Sequence, residues 1–136
     1  MKVLFDANVL FPAWLYLTGV CAKAFNKAVD NKQISIVVCT HSAEEFLNVC
    51  NRKSSDNMEE IQTFLSYMLS KVKLIRTPPE SERIPEEDLI RDVKDRPLLR
   101  AAVAANVDMI VTGDKDFLES GLTQPKIISP ADFVNL

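Results

Sequence analysis

The chain has 136 residues, of which 47% are hydrophobic and 26% are charged. This size and composition are typical of a globular domain with a substantial core, so we expect residues 1–136 to form a single domain. With only three glycines, the chain has no glycine-rich loop to bind phosphate. The net charge of −3 argues weakly against a nucleic-acid partner, but acids that hold cations would remove this objection.

The N-terminal sequence argues against both export and membrane insertion. Asp6, Asn8 and Pro12 interrupt an apolar run that otherwise resembles a signal peptide, and no apolar segment is long enough to span a bilayer. The cysteines are odd in number and lack a C-x-x-C spacing, which predicts reduced thiols, and the single histidine, His41, argues against zinc. We therefore expect a cytoplasmic protein without a membrane partner.

Five short segments predict β-strands. Residues 3–5 are wholly apolar, which is typical of a strand buried on both faces. The other four segments are rich in apolar and β-branched residues, and in chain order they are 34–39, 72–75, 109–112 and 126–128. Residues 78–88 are proline-rich and acidic, which predicts an exposed loop.

Helices are predicted between most of the strands from apolar residues at helical spacing. The capping-box pattern at residues 42–45 predicts a helix start, and Phe46, Leu47 and Cys50 would face inward from that helix. The other predicted helices cover residues 21–29, residues 56–69 with a weaker capping pattern at 56–59, residues 95–106 and a short last helix from residue 129. This alternation predicts an α/β fold, a three-layer α/β/α sandwich with a mainly parallel central sheet.

Five acidic residues occupy positions where such a fold places ligands. Asp6 and Asp114 directly follow two of the apolar strands, and Glu45, Asp95 and Asp116 lie near predicted helix starts. Ligands of open parallel sheets bind outside the carboxyl ends of the strands. We therefore expect these acids to converge on one edge of the sheet.

Converging carboxylates predict a bound cation. Carboxylates that lie close together repel one another, and a hard divalent cation such as Mg²⁺ offsets this repulsion. Two such ions can orient a water for attack on phosphorus and stabilise the leaving oxygen. A Ser-His-Asp triad cannot be argued, because the sequence lacks a nucleophile elbow and has one histidine.

Five segments together resemble the PIN domain family in their order and spacing, over nearly the whole chain. They are LFDAN at residues 4–8, the stretch 42–53 with Glu45, KDRPLL at 94–99, DMIVTGDKDF at 108–117 and ISPADF at 128–133. The resemblance is to the toxin–antitoxin type of PIN domain. It implies a Mg²⁺- or Mn²⁺-dependent ribonuclease, with RNA as substrate, an antitoxin protein as partner, and a homodimer as assembly.

The resemblance also implies roles for individual residues. Those that match the family's acidic quartet are Asp6, Glu45, Asp95 and Asp114. Asp116 matches a frequent fifth acid and would hold metal together with Asp6, Asp95 and Asp114. Asn8 and Thr112 match polar residues that orient the acids or a metal-bound water. Arg96 departs from the family pattern; Arg96 and Lys115 would contact a substrate phosphate or have no role.

Several acids also have a purely structural explanation. Glu45 is the last member of the capping box, and its neighbour Glu44 leaves the register open. Asp95 would serve as a helix N-cap, with Asp92 as a local rival for its place in the site. Asp116 would stabilise the first turn of a helix through the helix dipole.

Two other functions are compatible with parts of the sequence. A haloacid-dehalogenase-like phosphohydrolase would use Asp6 as a nucleophile, but that family requires an acid where this chain has Asn8. A PIN scaffold that only binds a protein partner would not need the acids. A covalent aspartyl-phosphate would indicate the first, and tight partner binding without RNA cleavage would indicate the second.

Overall fold

The computed structural model describes residues 1–53 and 55–136. Five strands form one sheet in the order β3-β2-β1-β4-β5, and every neighbouring pair is parallel. The strands are Lys2–Phe5 (β1), Ser35–Cys39 (β2), Lys73–Ile75 (β3), Met109–Val111 (β4) and Lys126–Ile128 (β5). The predicted strands and the parallel sheet are therefore confirmed.

Helices cover both faces of this sheet. They are Ala7–Leu15 (α1), Val20–Asp30 (α2), Thr40–Lys53 (α3), Met58–Lys71 (α4), Arg96–Ala104 (α5), Lys115–Leu118 (α6) and Pro130–Val134 (α7). Short 3-10 turns lie at Ser55–Asn57, Glu80–Glu82, Pro85–Leu89 and Val93–Asp95. Helices α1, α2, α3, α4 and α7 pack on one face, and α5 and α6 pack on the other. The fold is the predicted three-layer α/β/α sandwich.

Strand β1 lies at the centre of the core because both of its faces are covered. Val3 and Phe5 point into the layer of α1, α2 and α7, and Leu4 points into the layer of α5. The Phe5 ring packs edge-on against Phe25 and Phe133, with centroids 5.6 and 5.8 Å apart. Such contacts are worth about 0.5–1.5 kcal/mol each beyond simple burial. The residue that follows β1 is thereby held at a fixed place on the sheet edge.

Helix α1 follows β1 directly and was not predicted. Its sequence is apolar on nearly every side and contains Pro12, so it lacks the amphipathic spacing that identifies a helix. The capping box at the start of α3 was wrong, because the helix begins at Thr40 and Ser42 is buried within its first turn. Phe46 and Cys50 face inward as expected, whereas Leu47 is 40% exposed.

Residues 78–88, predicted as an exposed loop, are exposed at most positions, but they form two 3-10 turns and are fastened to α5 by a buried ion pair. Glu87 is only 1% exposed, and its carboxylate accepts hydrogen bonds from Arg100 Nη2 at 2.7 Å and Nε at 3.1 Å. Arg100 Nη1 also donates to the Pro78 carbonyl at 3.0 Å. Burial by itself would raise the pKa of Glu87, but the bonds from Arg100 and the Ile84 amide outweigh it and lower the pKa. This pair fixes the path of the chain toward α5.

Helix α5 ends at a residue with left-handed backbone. Asn106 has φ of 55°, and the amide of Val107 donates back to the Ala102 carbonyl at 3.0 Å. Asparagine tolerates this conformation better than most other residues, so it suits the end of the helix. None of the described helices is long and apolar enough to cross a membrane.

Candidate active site

The carboxyl ends of the two central strands place Asp6 beside Thr112. In the register of β1 with β4, Phe5 lies opposite Val111, and the Asp6 amide donates to the Val111 carbonyl at 3.1 Å. Thr112 Oγ1 donates a hydrogen bond to Asp6 Oδ2 at 2.8 Å. Asp6 is 7% exposed, so this bond orients a carboxyl that has almost no contact with solvent.

Asn8 and Thr112 connect the two strand ends through further hydrogen bonds. Asn8 Nδ2 donates to Thr112 Oγ1 at 3.3 Å, and Asn8 Oδ1 accepts from the Gly113 amide at 3.2 Å. Thr112 Oγ1 also accepts from the Asp114 amide at 3.1 Å. Both side chains predicted to orient the acids therefore lie between Asp6 and Asp114, and they fix the backbone from which Asp114 projects.

Asp114 forms the N-cap of α6. Its Oδ1 accepts from the Asp116 amide at 2.9 Å, a capping bond that accounts for one oxygen of the carboxylate. The same carboxylate lies beside Asp95, which comes from the start of a different helix, α5. Asp114 therefore has a structural role and also belongs to the convergence of acids.

Asp95 ends a 3-10 turn and immediately precedes α5, but its side chain makes no capping hydrogen bond. The N-cap explanation for this residue is therefore wrong. Burial, a hydrogen bond with Asp114, and the charges of Asp114, Asp92 and Asp6 raise the pKa of Asp95 to about 8. A carboxyl with this pKa shares a proton with its neighbour unless a cation compensates the charge.

The pKa of Asp6 is raised as well, to about 6. Burial is the main cause, and the charge of Glu45 adds to it. Hydrogen bonds from Thr112 and from the amides of Asn8 and Ala7 act in the opposite direction. Asp6 and Asp95 thus both resist ionisation in the metal-free protein.

Glu45, rather than Glu44, faces the site. It lies on α3, contributes to the negative potential at Asp6, and lines a cleft of about 280 Å³ with Asn8 and Phe11, whereas Glu44 is exposed. Glu45 Oε1 lies 2.7 Å from His41 Nε2, one helical turn earlier. The contact is an ion pair when His41 is protonated, and the buried Nε2 atom has no other partner among the described residues. The adjacent Glu45 carboxylate raises the pKa of His41.

The sequence did not identify His41 as part of this region, although its spacing of four residues from Glu45 on a helix was a usable signal.

Asp92 was treated only as a rival of Asp95, yet the two belong together. Across residues 1–53 and 55–136, the three acids whose oxygens all lie within 4.8 Å of one another are Asp92, Asp95 and Asp116. The trio contains two of the predicted metal ligands, Asp95 and Asp116, and adds Asp92 from the start of the 3-10 turn before α5. The predicted ligands Asp6 and Asp114 belong to no group this close among the described residues.

Within the described residues, neither of the two basic residues suggested by the sequence forms an ion pair with the site acids. Arg96 Nε donates to the Ile90 carbonyl at 3.0 Å, and the side chain lines a small cleft with Glu87 and Arg100. Lys115 is exposed and forms no ion pair with any described residue. A cation that does contact the site is Arg91, whose Nη2 lies 2.9 Å from Asp116 Oδ1.

The donor set fits a hard divalent cation. All of its charged groups are carboxylates, which are the ligands that Mg²⁺ and Mn²⁺ prefer. Two of them, Asp6 and Asp95, have raised pKa values that bound positive charge would lower. Among the described residues the cysteines are free, and Cys39 and Cys50 are buried in the core.

The chain belongs to the PIN domain family, because a family model described as a PIN domain matches residues 2–116. PIN domains are generally nucleases. No curated protein sequence is significantly similar to the chain. Membership of this family argues against the haloacid-dehalogenase interpretation, and Asn8 is engaged by Thr112 and Gly113 where that mechanism needs an acid.

Several solved structures share the fold. VapBC2 from Rickettsia felis, bound to a DNA fragment from its promoter, superposes with a TM-score of 0.70 at 14% identity, covering 95% of this chain and 98% of that one. PAE2754 from Pyrobaculum aerophilum superposes with a TM-score of 0.70 at 16% identity, covering 99% of this chain and 88% of that one. DNA-bound VapBC from Salmonella typhimurium superposes with a TM-score of 0.68 at 12% identity, covering 96% of this chain and 98% of that one. At these identities the likeness shows the fold alone.

Proposed function

We propose that this protein is a divalent-metal-dependent endoribonuclease that hydrolyses RNA phosphodiester bonds. The observation that carries the proposal is the group of Asp92, Asp95 and Asp116, whose oxygens lie within 4.8 Å of one another. Asp114 and the buried Asp6 are close enough to raise the pKa of Asp95. Uncompensated acids of this kind destabilise a fold, and a PIN domain retains them to bind a cation. RNA as the substrate is inferred from the resemblance to PIN ribonucleases.

In this proposal the metal ligands are Asp6, Asp95, Asp114 and Asp116, and the cation is Mg²⁺ or Mn²⁺. The cation would supply a positive centre for the substrate phosphate and for the attacking water. Thr112 orients the Asp6 carboxylate through its 2.8 Å hydrogen bond. Asn8 holds Gly113, so that Asp114 projects toward Asp95. These bonds pre-organise the acids before any ligand arrives.

Glu45 has a different task from the aspartates. It lies on α3, lines the same cleft as Asn8, and is close enough to Asp6 for its charge to raise the pKa of Asp6. From there its carboxylate positions the attacking water and accepts its proton. His41, 2.7 Å from Glu45 Oε1, restrains that carboxylate and balances its charge.

We further propose that the protein is the toxin of a toxin–antitoxin pair that acts in the cytoplasm. The proposal draws on the resemblance of the sequence to such PIN domains and on the fold shared with two VapBC structures. An antitoxin protein would be its partner and a homodimer its assembly. The alternative of a non-catalytic scaffold is disfavoured because Asp6, Glu45, Asp95 and Asp114 are all present and grouped.

The test is cleavage of a fluorescent single-stranded RNA by the purified protein with Mg²⁺, with Mn²⁺ and with a chelator. We expect cleavage only with metal, none of a DNA strand of the same sequence, and none by Asp6→Asn. Asp30→Asn is the matched control, because Asp30 is exposed at the end of α2 and precedes β2 at the opposite edge of the sheet. Metal-independent cleavage, or undiminished cleavage by Asp6→Asn, would contradict the proposal.

A further inference from the structure

Arg91 is held at the rim of the acidic site by two carboxylates of the α6 region. Its Nη2 lies 2.9 Å from Asp116 Oδ1 and 3.0 Å from Glu119 Oε2. Asp116 belongs to the close trio of acids, whereas Glu119 lies just beyond α6. The guanidinium is thus anchored both to the site and to a group outside it.

Within the described part of the chain, Arg91 uses only a few of its hydrogen-bond donors. A guanidinium has five N–H donors in a planar fork. In the described part of the chain, the only hydrogen bond from Arg91 is the one from Nη2 to Glu119, and the side chain is 66% exposed. Arg100 provides the contrast, because it is buried and donates through Nε, Nη1 and Nη2. Arg100 uses its donors to hold the fold together, whereas Arg91 has donors at the surface that a ligand can reach.

The surface donors of Arg91 can offset the repulsion between the acidic site and an RNA phosphate. An RNA phosphate must approach a cluster of carboxylates that repels it, and the bound metal offsets only part of that charge. Arg96 is engaged with a backbone carbonyl, and Lys115 has no ion pair with the described residues. Among the arginines and lysines of the described residues, Arg91 is the one that forms an ion pair with a site acid, and its planar fork suits two phosphate oxygens.

We propose that Arg91 binds a backbone phosphate of single-stranded RNA next to the bond that is cut. The inference rests on the proposed function. When a metal occupies Asp116, Glu119 keeps the guanidinium at the rim, and the donors on Nε and Nη1, which bind none of the described residues, are available to the phosphate. Arg91 is then a substrate-binding residue, and its loss weakens RNA binding without removing the metal ligands.

The first test measures RNA binding without cleavage. Fluorescence anisotropy of a labelled single-stranded RNA is followed with Asp6→Asn protein, alone and combined with Arg91→Gln, Arg91→Lys or Lys32→Gln. We expect Arg91→Gln to weaken binding about tenfold and to lower the slope of log affinity against log salt by about 0.7, the value for one phosphate contact on a single strand. Arg91→Lys should restore part of the affinity. Lys32→Gln, which removes an exposed charge before β2, should change neither quantity.

The second test separates binding from chemistry in the active protein. Arg91→Gln should raise KM with kcat within about threefold of wild type, which is the pattern for lost substrate binding. Its melting temperature and its stabilisation by Mn²⁺ should match wild type. Unchanged affinity and salt slope would overturn the proposal, as would a fall in kcat together with loss of Mn²⁺ stabilisation, because Arg91 would then act on Asp116. If wild type cleaves no RNA but Arg91→Gln still weakens RNA binding, the nuclease proposal fails and the phosphate contact stands.

Discussion

The carboxyl groups of Asp95 and Asp114 lie together, although the two residues stand at the starts of different helices. Asp114 caps α6 with one oxygen, whereas Asp95 leaves α5 uncapped and turns toward Asp114. A helix start with an aspartate that does not cap it forgoes about 1 kcal/mol of local stability. That loss is understandable if the carboxylate binds a ligand.

The raised pKa values predict that the metal-free protein loses stability as the pH rises. The pKa of Asp6 is about 6 and that of Asp95 about 8 in the native state, against 3.8 in the unfolded chain. The native state therefore binds more protons than the unfolded state, and stability falls with rising pH. The favourable contribution is complete below pH 3.8 and is lost by about pH 6 for Asp6 and about pH 8 for Asp95. Urea unfolding with a chelator at pH 5, 6.5 and 8 measures this slope; a free energy of unfolding that rises toward pH 8 would contradict it.

Asp6→Asn should stabilise the metal-free protein at pH 8. The substitution keeps the shape of the side chain and an oxygen for Thr112, but it removes a charge that is almost fully buried. We expect a gain of about 1–3 kcal/mol, the equivalent of the pKa shift. Asp30→Asn, at an exposed position, should change stability by less than about 0.5 kcal/mol. A loss of stability in Asp6→Asn would show that the carboxylate is needed to hold the fold.

Glu45 and Glu44 are adjacent and offer a matched pair of substitutions. Glu45 faces the cleft and contacts His41, whereas Glu44 is exposed. Glu45→Gln should reduce kcat by at least about a hundredfold, since a positioned general base typically contributes that much. Glu44→Gln should retain wild-type kcat. Equal activity of the two variants in the RNA assay would remove Glu45 from the proposed mechanism.

The buried pair of Arg100 and Glu87 should matter for stability rather than for cleavage. Removing one partner of a buried ion pair leaves an unpaired charge and costs about 3–5 kcal/mol. Arg100→Met should therefore lower the free energy of unfolding, measured in urea, by about 3–5 kcal/mol. Arg83→Gln, which breaks the exposed pair with Asp88, should cost less than about 1 kcal/mol. Replacing Glu87 by Met as well should recover part of the loss; no recovery would mean that packing rather than charge dominates.

Much of the fold could be predicted because strands and helices alternate along the chain, and the spacing of apolar residues differs between the two. All five strands were located to within one residue or so, since each is apolar and bounded by polar or turn residues. Helix α1 was missed because a helix surrounded by core has no polar face to reveal it. Helix α6 has four residues, too few for a period. The structured segment that contains Glu87 looked like a loop, because its partner Arg100 is distant in the sequence.

The site could be predicted only as far as local sequence specifies position. Asp6 and Asp114 follow strands, so their convergence depends on topology and could be inferred. Asp92 could not be included, because its proximity to Asp116 depends on how the 3-10 turn before α5 is packed. Arg91 was one of several basic residues near the acids in sequence. Its selection required the contacts with Asp116 and Glu119.

The central claim is that these acids share a divalent cation, and a crystal soaked with Mn²⁺ tests it most directly. The account predicts anomalous density bounded by carboxylate oxygens of Asp6, Asp95, Asp114 or Asp116, together with a melting temperature that rises with Mn²⁺. The rise should be larger at pH 8 than at pH 6, because protons compete with the metal for the carboxylates. No density at these residues, and a melting temperature unchanged by Mn²⁺ at both pH values, would contradict the account.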